Sequence, residues 1–137
     1  MSTAFSDMAD IFAAALSALA LGYPIAWENQ VYDPTAPNIY LRPTMLPATS
    51  QGMGPGSSAM NRHDGIYQIS VFCPSEGAWG PLLAIVDTLA TAFKRGTTFT
   101  QGTTTVIVKS CQRGPYTEDP DWFHIPLSIN FYATALP

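Results

Sequence analysis

From Trp122 to Ala133 apolar and polar residues alternate over the whole length of the segment. Phe123, Ile125, Leu127, Ile129, Phe131 and Ala133 fall on one side, and His124, Ser128, Asn130 and Tyr132 on the other. Successive side chains of a strand point to opposite faces of its sheet. The pattern therefore demands a long, half-covered antiparallel strand, and a fold that supplies a covering layer on one side only. Pro126 lies inside it and lacks the N–H a ladder needs, which predicts an edge position or a bulge.

A second strand is predicted over Gly65–Pro74, with Tyr67, Ile69, Val71 and Cys73 forming the better core face. The covering layer is predicted from two helices. Trp79, Leu82, Leu83, Val86, Leu89, Ala90 and Phe93 form one continuous helical stripe, with Pro81 in the first turn and Gly96 after the end. Residues 3–21 repeat Phe5, Met8, Phe12, Leu16 and Leu19 at helical steps, with Asp7 and Asp10 near the positive end of the helix dipole and Gly22 and Pro24 as stop signals. Thr97–Thr100 and Thr103–Cys111 read as a hairpin about Gln101–Gly102, because Thr and the Val106–Val108 run favour strands. Short strands are predicted at Ile25–Asn29 and Asn38–Arg42, the latter cut off by Pro43 or lying at an edge.

Between Arg42 and Asp64 the chain is rich in Pro, Gly, Ser and Met. It reads as a long loop, either a contact that orders on binding or a permissive surface segment. The resulting order predicts an α+β fold: two helices packed on one face of a mostly antiparallel mixed β-sheet, in a single domain 1–137, with a long loop at 42–64.

Only 12% of the 137 residues are charged and 47% are hydrophobic. So few charges leave an exterior of Thr, Ser, Gly, Pro, Ala and aromatic groups, which suits a subunit covered by other subunits. A net charge of −4 with scattered cations argues against a nucleic-acid binder. The N-terminus lacks the basic region of a secretory signal. The uncharged run Ile11–Trp27 is broken by Gly22 and Pro24, so the chain reads as a soluble protein made in the cytosol, without a membrane partner.

Chemistry is sparse. Cys73 and Cys111 show no metal-ligand spacing and read as free thiols, with a disulfide left open. His63–Asp64 are sequence neighbours near Ser57 and Ser58, but no nucleophile elbow surrounds them. Gly52–Gly56 lacks the strand, helix and Lys-Ser/Thr of a phosphate loop. No catalytic, cofactor or metal site is predicted. A small hydrolase or ligand-binding domain using His63–Asp64 is the remaining alternative of that class.

With the elements in order, the chain resembles the siphophage tail terminators, the family of the lambda minor tail protein U and its relatives. The resemblance rests on the N-terminal amphipathic helix, the Trp-containing segment Ile25–Asn29, Leu41–Pro43 leading into the long loop, Gly65–Phe72 with its following helix, and the final strand with Ile129–Tyr132. It implies a ring, typically of six copies, that caps the tail tube, stops its polymerisation and offers a surface to a head-side connector protein. It implies no enzymatic activity, and a place at the head-proximal end of the virion tail after assembly in the host cytoplasm. Partners would be further copies, the tail tube protein and the connector. A head–tail connector, neck or tail tube subunit is the nearest alternative. Contact residues expected from the loop are Arg42, Met45, Met53, Met60, Arg62 and His63.

Overall fold

The structure is a computed structural model that describes residues 4–19, 23, 25–27, 39–52, 54, 56, 59–74, 79–115, 117–118 and 122–135. Its elements are α1 (Ala4–Ala18), β1 (Tyr40–Gly52), β2 (Asn61–Pro74), α2 (Trp79–Ala92), β3 (Thr98–Gln101), β4 (Thr104–Arg113), β5 (Thr117–Glu118) and β6 (Trp122–Ala135). The six strands form one sheet in the order β1-β2-β6-β4-β3, with β5 pairing β6, and every strand pair is antiparallel. The alternating segment from Trp122 to Ala133 lies in the central strand β6.

One face of the sheet is covered. Tyr67, Ile69, Val71 and Cys73 of β2, Val106 and Val108 of β4, and Phe123 through Ala133 at every second position of β6 are buried there. Met8, Ile11, Phe12 and Leu16 of α1 and Leu82, Ile85, Val86, Leu89 and Phe93 of α2 complete the same core. Phe12 lies at its centre, stacked on Tyr67 at 4.4 Å and tilted against Phe131 at 4.8 Å, with Phe93 at 6.1 Å. Asp7 fixes the start of α1 to the β3–β4 hairpin, accepting from Thr104 Oγ1 at 3.0 Å and Gln101 Nε2 at 3.3 Å. That hairpin turns at Gly102 with φ +61, a conformation that favours glycine.

The expected long loop at 42–64 is instead mostly a β-hairpin. β1 runs through Pro43 and Pro47, paired with β2 from Tyr40↔Phe72 to Gly52↔Asn61, with one irregularity between Pro47 and Thr49. The backbone explains the tolerance. Ala26 N–H donates to the Leu41 carbonyl at 2.7 Å from the side away from β2. N–H and C=O groups alternate in direction along a strand, so Leu41, Pro43, Met45 and Pro47 face outward and Tyr40, Arg42, Thr44 and Leu46 face β2. Both prolines lack a donor that β2 would not have used, and β1 occupies the sheet edge where such positions are allowed.

Three further differences have local causes. The strand expected at Ile25–Asn29 is a single parallel bridge, Ile25 to Leu41, among the described residues. Pro126 lies in the central strand, not at an edge. Its carbonyl accepts from Gly114 N–H at 2.7 Å, one residue beyond the end of β4, so its absent N–H faces the gap between β4 and β5. The irregularity on this side lies instead between Val108 and Ser110. Gly114 makes the approach possible, since a Cβ there would meet Pro126 Cγ at 2.8 Å. The expected helix stops at Gly22 and Pro24 lie outside the described residues.

Candidate assembly surface

Both helices cover one face, and no described helix lies on the opposite face of β1, β2, β6 and β4, where Tyr40 is nonetheless buried. Register places side chains on it in rows. Tyr40, Phe72 and His124 form one end row. Arg42, Ser70 and Pro126, then Thr44, Gln68, Ser128 and Gln112, form the middle. Leu46, Ile66, Asn130 and Ser110 follow, then Asp64, Tyr132 and Ile107. Hydroxyl and amide groups dominate, and Asn130 Nδ2 donates to Ser110 Oγ at 2.9 Å across one row.

The end row is an aromatic stack. Tyr40 and Phe72 lie 4.7 Å apart and parallel within 3°, Trp122 meets Tyr40 edge-on at 5.2 Å, and His124 stacks on Phe72 at 4.6 Å. The Arg42 guanidinium sits 5.7 Å from the Phe72 ring centre, within reach of a cation–π attraction. His124 Nδ1 is buried with no hydrogen-bond partner among the described residues. The far end is ionic. Asp64 Oδ1 accepts from Arg62 Nη2 at 3.2 Å and Lys109 Nζ at 3.4 Å, and the Arg62 guanidinium lies 4.2 Å over Tyr132. The Arg62 hydrogen bond, helped by Lys109, holds the Asp64 carboxyl below its usual range against an opposing pull from burial.

The contact residues expected from sequence do not form one patch. Arg42 and Arg62 share the face opposite the helices, but eight β2 positions separate their rows, about 27 Å at strand spacing. Met45 pairs with Tyr67 on the covered face and packs partly against the core. Met60, beside the hairpin tip, is 37% exposed. Met53 lies outside the described residues. His63 is buried on the covered face, where Ser50 Oγ lies 2.7 Å from its Nδ1. A signal for this was present: His63 continues the odd-numbered core positions of β2 back from Tyr67.

The Ser50–His63 contact is a nucleophile–base pair in residue type only. The neighbouring Asp64 projects from the opposite face toward Arg62 and Lys109 and takes no part in that contact. Ser57 and Ser58 lie outside the described residues. Among the described residues no three of His, Cys, Asp or Glu gather as a metal site. No described helix is long and apolar enough to cross a membrane. Cys73 and Cys111 are free thiols whose pKa values are pushed up by burial. They pair with Phe123 and Ile129 of β6, six positions apart, roughly 20 Å and far beyond disulfide reach.

A family model described as phage tail terminator protein matches residues 7–131, from the first turns of α1 into the last turns of the β6 alternation. A solved structure is similar to the chain with a TM-score of 0.76 and 21% sequence identity, over 95% of each chain, a likeness of fold. No curated protein matches.

Proposed function

Because the chain belongs to the phage tail terminator family, we propose that it caps the tail tube as a closed ring of six copies. The ring stops tube polymerisation and presents the surface on which a head-side connector joins the tail. The observation that carries this reading is the family match across nearly the whole fold. The structure adds a consistent feature: a sheet with both helices on one face and hydroxyl, amide and aromatic groups on the other, on a chain with few charges. A ring exposes such a face to water or to neighbours without a strong local field. The family is a structural one, and the Ser50–His63 contact adds no catalytic arrangement to it.

In this reading the partners are further copies, the tail tube protein and the connector, at the head-proximal end of the virion tail after assembly in the host cytoplasm. Arg42, Met60 and Arg62 are the contacts that the described surface offers. The test is tail length in infections lacking the protein, followed by microscopy of purified tails. Overlong tails without heads, corrected by the supplied protein as a single six-fold ring, are expected. Normal joined tails in its absence would refute the reading, and stacked rings of the protein alone would assign it to the tube.

A further inference from the structure

The two sides of the sheet end differently. On the β1 side Pro43 and Pro47 remove outward donors, and Ala26 already occupies the Leu41 carbonyl. On the other side β3 pairs β4 only from Thr104 to Ile107, and the Gly96–Thr97 backbone extends the pairing to Val108. On that outer side no described segment pairs with Lys109–Arg113. The Gly114 bond to Pro126 sets the direction of the groups there. Gln112 and Ser110 turn to β6, so Arg113 and Cys111 turn their N–H and C=O groups away from the sheet. Each therefore offers one donor and one acceptor along a slot of about 17 Å. The Gly96–Thr97 turn closes one end, and at the other β4 ends at Arg113.

The cation left to the slot is Arg113, on an acidic protein, because the Lys109 ammonium turns back across β6 to Asp64. Lys109, Gln112 and Arg113 are exposed, and no acid lies between residues 109 and 113. Lys109 shares Asp64 with Arg62, while the Arg113 guanidinium reaches only the Gly114 carbonyl, at 3.4 Å, and meets no carboxylate among the described residues. The chain's own edge strands do not complement it: β1 and β3 contain no carboxylate. β5 is two residues long. We propose that the open β4 edge at Lys109–Arg113 takes up an extended, carboxylate-bearing segment of a different protein by strand addition. Main-chain bonds at Cys111 and Arg113 would give the affinity, and the Arg113 guanidinium the preference for acids. The proposal rests on the tail reading insofar as the partner is met within the tail.

Hydrogen exchange followed by mass spectrometry, on the free chain and on purified tails carrying it, tests this. The Cys111 and Arg113 amides should exchange at least ten-fold more slowly in tails, while Ser110 and Gln112 stay slow in both. Arg113→Pro deletes an outward donor without touching the β6 ladder. It should fold, lose the Cys111 protection and enter tails at least ten-fold less well. Arg113→Glu should behave alike if the proline variant fails to fold, and Arg113→Lys should retain incorporation. Cross-linking from the new amine of the Arg113→Lys variant in tails should reach an acidic segment of another protein. Cross-links to a second copy at this edge, or equal exchange in free and tail-bound chains, would overturn the proposal and leave the terminator reading standing. Absence of the chain from tails would overturn both.

Discussion

Gly65 should not tolerate even one added carbon. A Cβ on Gly65 would lie 2.9 Å from Phe131 Cζ, 3.2 Å from Cε1 and 3.3 Å from the Leu46 carbonyl. Carbon contacts are comfortable at about 3.5–4.0 Å, so the ring would have to retreat by more than half an ångström. It has little room, because Phe131 is buried and Phe12 lies 4.8 Å from it. Overpacking of this kind costs about 1–3 kcal/mol. Against it stands a gain of about 0.4–1 kcal/mol from the stiffer unfolded chain. Gly65→Ala should therefore destabilise the fold by about 1–2 kcal/mol, a fall in Tm of roughly 4–8 °C at this chain length. Urea unfolding followed by tryptophan fluorescence, at fixed protein concentration, measures it. Phe131→Leu shortens the obstructing ring, so the double variant should recover at least about 1 kcal/mol of the sum of the two single losses. Wild-type stability in Gly65→Ala, or additive single losses, would show that Phe131 does not determine the need for glycine here.

Phe12→Ala removes the ring at the centre of the core and should cost about 3–5 kcal/mol, read as a large drop in Tm by calorimetry; a loss below 1 kcal/mol would place the centre elsewhere. Thr44→Pro deletes a donor that faces β2 and should cost about 1–3 kcal/mol, whereas Pro43→Val adds an outward donor and should shift stability by no more than about 1 kcal/mol; equal effects in urea titrations would contradict the assigned direction of β1. Asp64 carries a depressed pKa, so its pairing stabilises the fold above the unfolded carboxylate value of about 3.9 and the benefit fades as pH falls through the lower folded value. The difference between wild type and Asp64→Asn, at most about 1 kcal/mol, should be constant from neutral pH down to about 5 and vanish well below 4; a difference unchanged at pH 3 would exclude the ion pair as its source.

The parts of the fold legible in sequence are those whose partners are implied by their own period. The β6 alternation and the α2 stripe name their buried faces, and Phe123, Ile125, Leu127, Leu82 and Leu89 are buried as expected. β1 was not legible, because its composition resembles a loop and its prolines look like stops. What makes Pro43 and Pro47 acceptable is the direction their N–H groups would have taken, which depends on which side β2 lies. Pro126 repeats the lesson in the middle of the sheet, where its fitness depends on β4 ending at Arg113 and on Gly114 lacking a side chain. The contact residues were the least legible. Arg42 and His63 both follow from loop composition, yet one projects from the face opposite the helices and the other is buried beside Ser50. Carrying the odd-numbered core positions of β2 two steps further back would have separated them.

The prolines of β1 also determine what kind of monomer this sheet is. A polymer grows when each unit can join at two ends, and stops at a unit that can join at one. With Leu41 engaged and Pro43 and Pro47 unable to donate, β1 has a single outward donor, Met45, between Leu41 and Pro47, while β4 offers donors and acceptors together. In hydrogen bonding the two margins of the sheet are therefore unequal among the described residues: between Leu41 and Pro47 β1 has little to donate to a further strand, and the outer side of β4 has more. Two prolines make that stretch of β1 a poor template for edge-to-edge growth.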